Sequence, residues 1–317
     1  MITRTTNSQN NASLLDYISS TQSKINRLSQ QISEGGKRIL KISDDAVAAK
    51  GVFNTNKELN QIENYISNMS FASSEMSVLD STLASGSSSL QRAYDIAMMA
   101  ANGTYSENEM KAFKQEVDVI ISSMQNVANT KFNDVYLFSG TKTQVQAFTK
   151  SDTGITYNGT PSDGAWQRKV LISDNTEEVI NYTGDDLFGY AEVATDPTTG
   201  ETTVSGDGIF GALYSLSNIL DSGDIDATEM QTVMGNIQQG VDKLVDTRSS
   251  AGHKVARFNT MTSAMETSKI NLTTFKSNLE DADITNLLTE WVQEQQSLEA
   301  SYQVATQSMQ SSLLNYI

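Results

Sequence analysis

The chain has 317 residues and a formal net charge of −16, from 38 acidic and 22 basic side chains. That excess of acid argues against sequence-independent binding to nucleic acid or to anionic membrane surfaces, both of which draw on surplus Lys and Arg. With no cysteine, disulfides, thiolate nucleophiles and cysteine-based metal sites are excluded.

The N-terminus, MITRTTNSQNNASLL, lacks the apolar core of a cleavable secretory signal, and no later run approaches the ~20 apolar residues a bilayer span needs. The first periodic segment places Leu14, Ile18, Thr21, Ile25, Leu28 and Ile32 at alternating four- and three-residue steps. This is a heptad seam, too narrow for burial in a globular core on its own, and it predicts a helical rod over 14–34 that wants a helical partner. Gly35-Gly36 ends it, and Lys37 to Lys41 form a basic connector. In Ser43-Asp44-Asp45, Ser43 is the expected N-cap of a second helix and the acids are expected in its first turn, where free amides and the helix dipole favour them. The acid pair therefore reads as architecture rather than catalysis.

The second helix carries Leu59, Ile62, Ile66, Met69, Met76, Leu79, Leu83 and Leu90, and a third carries Met110, Phe113, Val117, Ile120, Met124 and Val127. FNDVYLF at 132–138 then switches to strand and turn. Eleven of the 19 glycines and both prolines fall within 131–223, so the centre of the chain is rich in loops and strands. TGITYNGT, RKVLISDN and EEVINYTG are short strand-like runs, and AEVATDPTTGETTVSG reads as a hairpin turning at 196–200. Helical periodicity returns at 209–221 and again from Met230 to Leu279. From Asp281 a last narrow seam runs through Ile284, Leu288, Trp291, Leu298, Tyr302, Met309, Leu313 and Tyr316. Residues 1–41 carry six basic and two acidic residues, whereas 281–317 carry five acids and no Lys or Arg. Opposite charge on two seam-bearing helices favours their pairing, although each exposed ion pair is worth only ~0–1 kcal/mol. A two-helix rod with so little apolar content would be firm only with copies packed side by side.

The fold class expected is mainly α with a β-rich insert, with long terminal coiled-coil helices, an antiparallel helical core and a variable β domain in the middle. The corresponding divisions are 1–42 with 281–317, 43–140 with 209–280, and 141–208. Several motifs look chemical and have simpler readings. Gly206-Asp207-Gly208-Ile209-Phe210-Gly211 matches a dinucleotide fingerprint but lacks a following parallel βαβ unit, so a strand-to-helix turn is expected. Asp152-Thr153-Gly154 has no second copy with which to share a proton. The Asp221–Glu229 acids lack a carboxylate at the twelfth loop position, leaving at most incidental metal binding, and Asp226 is expected to cap the next helix. His253 is the single histidine, which leaves no triad or zinc set. No cofactor, metal or catalytic residue is assigned.

RILKISDDAVAAK at 38–50 resembles the signature region of bacterial flagellar axial proteins, and ISDDAVAA within it is similar to the hook-associated protein 3 family. NTKFNDVYLFSGTKTQVQAF at 129–148, LISDNTEEVINYTGDDLFG at 171–189 and the ending SLEASYQVATQSMQSSLLNYI are similar to the same family. Ala46 stands where that family commonly has Pro, as flagellins can, and MITRTT departs from the usual opening; flagellin is the alternative. The resemblance implies a structural subunit joining hook to filament and needed for filament assembly and motility. It implies a ring of about eleven copies built through the terminal helices. The implied neighbours are another hook-associated protein on the hook side and flagellin on the filament side. It further implies export through the flagellar type III apparatus with an uncleaved signal in a disordered N-terminal start, and a cytosolic chaperone on the C-terminal seam. The implied location is extracellular, at the hook–filament junction.

Overall fold

The computed structural model describes residues 2–102, 105–151, 153–195, 202–223 and 226–314. The chain divides into two compact units, 1–62 with 266–317, and 63–265. Seven helices and eight strands are present among the described residues. They run α1 (Ile2–Ser33), α2 (Ala46–Ala101), α3 (Glu107–Ala128), β1 (Lys131–Phe132), β2 (Val135–Tyr136), β3 (Phe148–Ser151), β4 (Gly154–Tyr157), β5 (Lys169–Ser173), β6 (Thr176–Val179), α4 (Gly184–Phe188), β7 (Tyr190–Thr195), β8 (Thr202–Asp207), α5 (Gly208–Ser222), α6 (Ala227–Glu280) and α7 (Ile284–Leu314). The helix α1 begins at Ile2, twelve residues before the seam and in place of the disordered start expected. Ser, Thr and Asn are weak helix formers, but extending a helix that a seam has already nucleated costs little per residue.

Unit 63–265 holds the main core. The long-helix residues Met69, Met76, Leu79, Leu83 and Leu90 of α2 are at most 1% exposed. They share one cluster with Val117 and Met124 of α3, Leu213 and Leu216 of α5, and Ile237, Leu244 and Phe258 of α6. The seven-residue repeat seen in the sequence is thus the buried stripe of each helix. Ser106 and Glu109 form a capping box that starts α3. The FNDVYLF segment is a two-residue hairpin, in which Asn133 and Asp134 take φ of 48° and 63° as a primed turn requires.

All strand pairs among the described residues are antiparallel: β1–β2, the four-stranded β3-β4-β7-β8, and β5–β6. The insert therefore has no parallel βαβ unit, and Gly206–Gly211 is the turn from β8 into α5, with Asp207 at the N-cap. The tip of the β7–β8 hairpin, 196–201, lies outside the described residues, as does Asp152. The sheet joins the helices through Phe148, Phe188 and Phe210, whose ring centroids are 5.1–6.1 Å apart, with Phe138 stacked edge-on against Phe188 at 5.0 Å.

The β5–β6 hairpin is fastened differently, by polar bonds to two helices. On α2, Tyr65 Oη donates to Asp174 (3.0 Å), Asn68 Nδ2 donates to the Leu171 carbonyl (2.9 Å), and Glu75 pairs with Arg168 just before β5. On α6, Arg257 pairs with Glu178 (2.5 Å) and Lys254 Nζ donates to the Val179 carbonyl (2.7 Å). The Glu75 side chain is only 2% exposed, and its Oε2 and the Arg168 Nε have no partner. Burial pushes the Glu75 carboxyl above the usual range, against the opposing pull of Arg168.

Candidate assembly site

The terminal helices pair with each other within unit 1–62/266–317. Tyr17 Oη lies 2.8 Å from Ser297 Oγ, and Lys24 Nζ lies 2.7 Å from Glu294 and 3.8 Å from Glu290. Gly36 meets Ala282. These contacts run in opposite directions along the chain, so α1 and α7 are antiparallel. The charge asymmetry of the two ends is realised in the Lys24 cluster, where the bond to Glu294 and its charge hold the ammonium above its ordinary pKa.

On α1 the seam falls where the spacing placed it. Ile25 and Leu28 are buried beside Thr21, while Leu14, Ile18 and Ile32 are half-buried. On α7 the outcome differs. The side facing α1 carries Leu287, Trp291, Glu294, Leu298 and Ser301, with Leu287 and Ser301 buried and the others half-buried. Of the seam read from the sequence, Trp291 and Leu298 join that side. Ile284, Leu288 and Tyr302 are 46%, 44% and 51% exposed, on a stripe shared with Val292 and Glu299; Ile284 lies against Gly36 at the end of α1, and Val292, Glu299 and Tyr302 line an open cleft with Gln22 and Ile25 of α1. This stripe lies roughly 100° round the helix from the paired side at 3.6 residues per turn. The side chains of Met309 and Leu313, and Tyr316 entirely, lie outside the described residues.

Gly35-Gly36 closes α1 with a Schellman motif. Gly36 N–H donates to the Gln31 carbonyl (2.8 Å), Gly35 N–H donates to that of Ile32 (3.1 Å), and both glycines have φ near +85°. The chain then pairs with the α6–α7 connection: Arg38 N–H donates to the Glu280 carbonyl (2.7 Å) and Ala282 N–H to that of Gly36 (2.6 Å). Side chains reinforce the crossing, with Lys37 on Glu280 (2.6 Å) and Arg38 Nη2 on the Leu279 carbonyl (2.9 Å).

The acid pair sits in this junction, with its roles divided. Asp45, not Ser43, is the N-cap of α2: its Oδ1 accepts the Ala48 N–H at 2.9 Å, and Arg38 holds the other oxygen at 3.2 Å. Asp44 turns back, accepting the N–H groups of Leu40 (3.0 Å) and Lys41 (2.9 Å), with Arg27 at 3.5 Å. Neither acid lies in the first helical turn, because α2 begins at Ala46, and Ser43 is left exposed. The backbone amides are the main cause that holds both carboxyls below the usual carboxylate pKa, with the arginines adding to it. The connector that reads as basic in the sequence also has an apolar face. Ile39 and Ile42, with Ala46, Val52 and Phe53, line an open apolar groove of about 430 Å³. The signal was present in RILKI, where three apolar residues stand among two basic ones between two helices.

The other residues singled out in the sequence have local explanations. Asp226 caps α6 through the Thr228 N–H (2.8 Å), and His253 is exposed on α6. Asp224 and Ile225 lie outside the described residues.

The matches to known proteins include these terminal segments and extend well beyond them. The model of the bacterial flagellin N-terminal helical region matches residues 5–143, and that of the C-terminal helical region matches 234–317. The chain belongs to the flagellin family. Curated relatives include flagellar hook-associated protein 3 of Salmonella typhimurium, 24% identical over 93% of this chain and 94% of the relative. The protein of that name from Escherichia coli is 23% identical over 91% and 92%. A flagellin of Listeria innocua is 26% identical over 89% and 88%. Among solved structures, hook-associated protein 3 of Legionella pneumophila superposes with a TM-score of 0.60 at 17% identity, over 72% of this chain and 98% of that one. The flagellar junction protein FlgL of the same organism gives 0.54 at 17%, over 74% and 100%. The fold is the flagellin-like one, mainly helical with long terminal helices and small antiparallel sheets in the middle, and the relatives place the chain among proteins of the bacterial flagellum.

Proposed function

We propose that this chain is a structural subunit of the flagellum that joins hook to filament, assembling with further copies through its terminal helices. The observation that carries this reading is the division of α7 into two stripes: one satisfied by α1, the other, with Leu288, Val292 and Tyr302, left about half exposed. An apolar stripe of this length on an otherwise polar rod marks a protein-contact surface. The task is mechanical and involves no reaction. Residues 1–42 and 281–317 would form the axial part, 43–140 with 209–280 the helical core, and 141–208 the outward β domain. The seam residues of both ends would contact neighbouring copies in a ring of about eleven. A hook-associated neighbour would lie on one side and flagellin on the other, and an export chaperone would shield the C-terminal seam before passage through the type III apparatus.

Deletion of the gene tests this: hooks without filaments are expected, with flagellin lost to the medium and motility abolished. Complementation by the full chain but not by one lacking 1–40 and 281–317 is expected, and equal complementation by both would refute the role of the ends. The second reading, flagellin, is favoured by the identity to the Listeria flagellin. It predicts that purified monomer grows long filaments from seeds, and such growth would replace the junction reading.

A further inference from the structure

Between the end of α1 and the first turns of α2 the surface opens into the groove lined by Ile39, Ile42, Ala46, Val52 and Phe53. Its walls carry large apolar side chains at high exposure, Ile42 at 77% and Phe53 at 71%. We propose that this groove receives the exposed α7 stripe of a second copy of this chain. The inference rests on the assembly reading above and names the two surfaces that meet.

Three observations carry it. The first is chemical match: an open apolar trough and an apolar helical stripe, Leu288, Val292 and Tyr302, both belong to unit 1–62/266–317. The second is charge. Lys41 and Lys50 line the groove, and its one acid, Glu280, is already held by Lys37 (2.6 Å) and Lys276 (3.8 Å). Asp44, beside Lys41, is engaged by Arg27 and two backbone amides. The groove therefore presents net positive charge. Lys24 of α1 takes up Glu290 and Glu294 of α7, which leaves Glu299, exposed on the stripe, as the α7 acid with no lysine among the described residues of its own chain. The third is symmetry. Groove and stripe are different patches, so their contact is heterologous: each copy offers its groove to one neighbour and its stripe to the other. Such contacts generate rings or helical arrays rather than closed dimers.

The chain has no cysteine, so introduced thiols report this contact without background. Cells carrying both an Ile42→Cys and a Leu288→Cys variant in place of the natural gene are grown, and their flagella are isolated and mildly oxidised. A disulfide-linked dimer is expected only when both variants are present. Both variants incorporated without a dimer would overturn the proposal, as would a dimer from Ile42→Cys alone, which would signal groove-to-groove contact. As a second arm, Lys50→Glu should lower the amount of this chain in flagella several-fold with an unchanged melting curve, and Glu299→Lys in the same chain should restore it. No restoration would also overturn the pairing. If the unaltered chain is missing from isolated flagella, the assembly reading falls, and the pairing falls with it.

Discussion

Glu75 and Arg168 offer the sharpest test of how the β5–β6 hairpin is held. Glu75 is 2% exposed on its side chain and Arg168 is 21% exposed, so solvent screens the pair weakly. The pair is also incompletely satisfied, since Glu75 Oε2 and Arg168 Nε have no partner. Removing the guanidinium alone, as in Arg168→Met, strands a buried carboxylate, and changes of that kind cost about 3–5 kcal/mol. The loss is limited by uptake of a proton, which the raised pKa of Glu75 already favours. Replacing both groups, as in Glu75→Met with Arg168→Met, removes the desolvation cost of both charges and is expected to be neutral or up to about 1–4 kcal/mol more stable than the natural pair. The chain has two tryptophans, Trp166 in unit 63–265 and Trp291 in the other unit. Urea unfolding followed by Trp166 fluorescence in a Trp291→Phe background isolates the relevant transition. A double variant as unstable as Arg168→Met would refute the reasoning, because it would mean that the ions themselves stabilise the fold. The pH dependence has a fixed sign. A carboxyl whose folded pKa is raised stabilises the fold below the unfolded value, near 4.3, and that contribution is lost as pH rises through the folded value. Relative to Glu75→Gln, the natural chain should therefore be more stable at acid pH than at pH 8, and the opposite slope would exclude the assignment.

Other outcomes follow from the terminal unit. Ile25→Ala removes one of the few buried apolar side chains of the α1–α7 pair; a loss of about 2–4 kcal/mol is expected, with faster amide exchange in α1 and α7 and none of that change in α3. Gly36→Ala forces a Cβ into a backbone with φ of +84°, 2.6 Å from Ile284 Cγ1, and should lower the Trp291-reported melting temperature by the equivalent of about 1–2 kcal/mol. Asp44 and Asp45 have depressed folded pKa values, so their contribution is present above the unfolded carboxylate pKa, about 3.9, and is lost as pH falls through the folded values. Trp291 fluorescence should register loosening of the junction only in that acid range, and Asp45→Asn should blunt the transition. Trp291→Phe itself is expected to be neutral, because the buried indole N–H has no acceptor to lose.

Much of this architecture was legible in the sequence because seven-residue periodicity survives translation into structure. The stripes on α2, α3 and α6 mark the buried side chains, and the α1 seam falls on Ile25 and Leu28 as the spacing indicates. The α7 seam was only half legible. Two apolar stripes overlap along that helix, and the one chosen by α1 is padded with Glu294 and Ser301, which hydropathy passes over. Ser43 was misassigned because Ser, Asp and Asp are all good caps, and only the path of the Leu40–Lys41 turn decides which oxygen reaches which amide. The strand β3, in AFTKS, was missed because one buried residue followed by three exposed polar ones carries no alternation. The groove escaped because nothing periodic links Ile39 and Ile42 to Phe53 across a helix start.

The crossing of residues 36–38 with 280–282 joins the end of α1 to the start of α7, with the whole of 63–265 between them. A chain delivered from its N-terminus onward cannot make that crossing until its final segment arrives. In an unfolded chain, closing a loop of about 240 residues is an entropic penalty that grows with the logarithm of length, whereas a middle unit already folded shortens the search. The topology separates two tasks: the middle unit closes on contacts of its own, whereas the seam of α1 is covered only once α7 is present. A subunit lacking α7 would keep the α1 seam as an adhesive edge for as long as it survived.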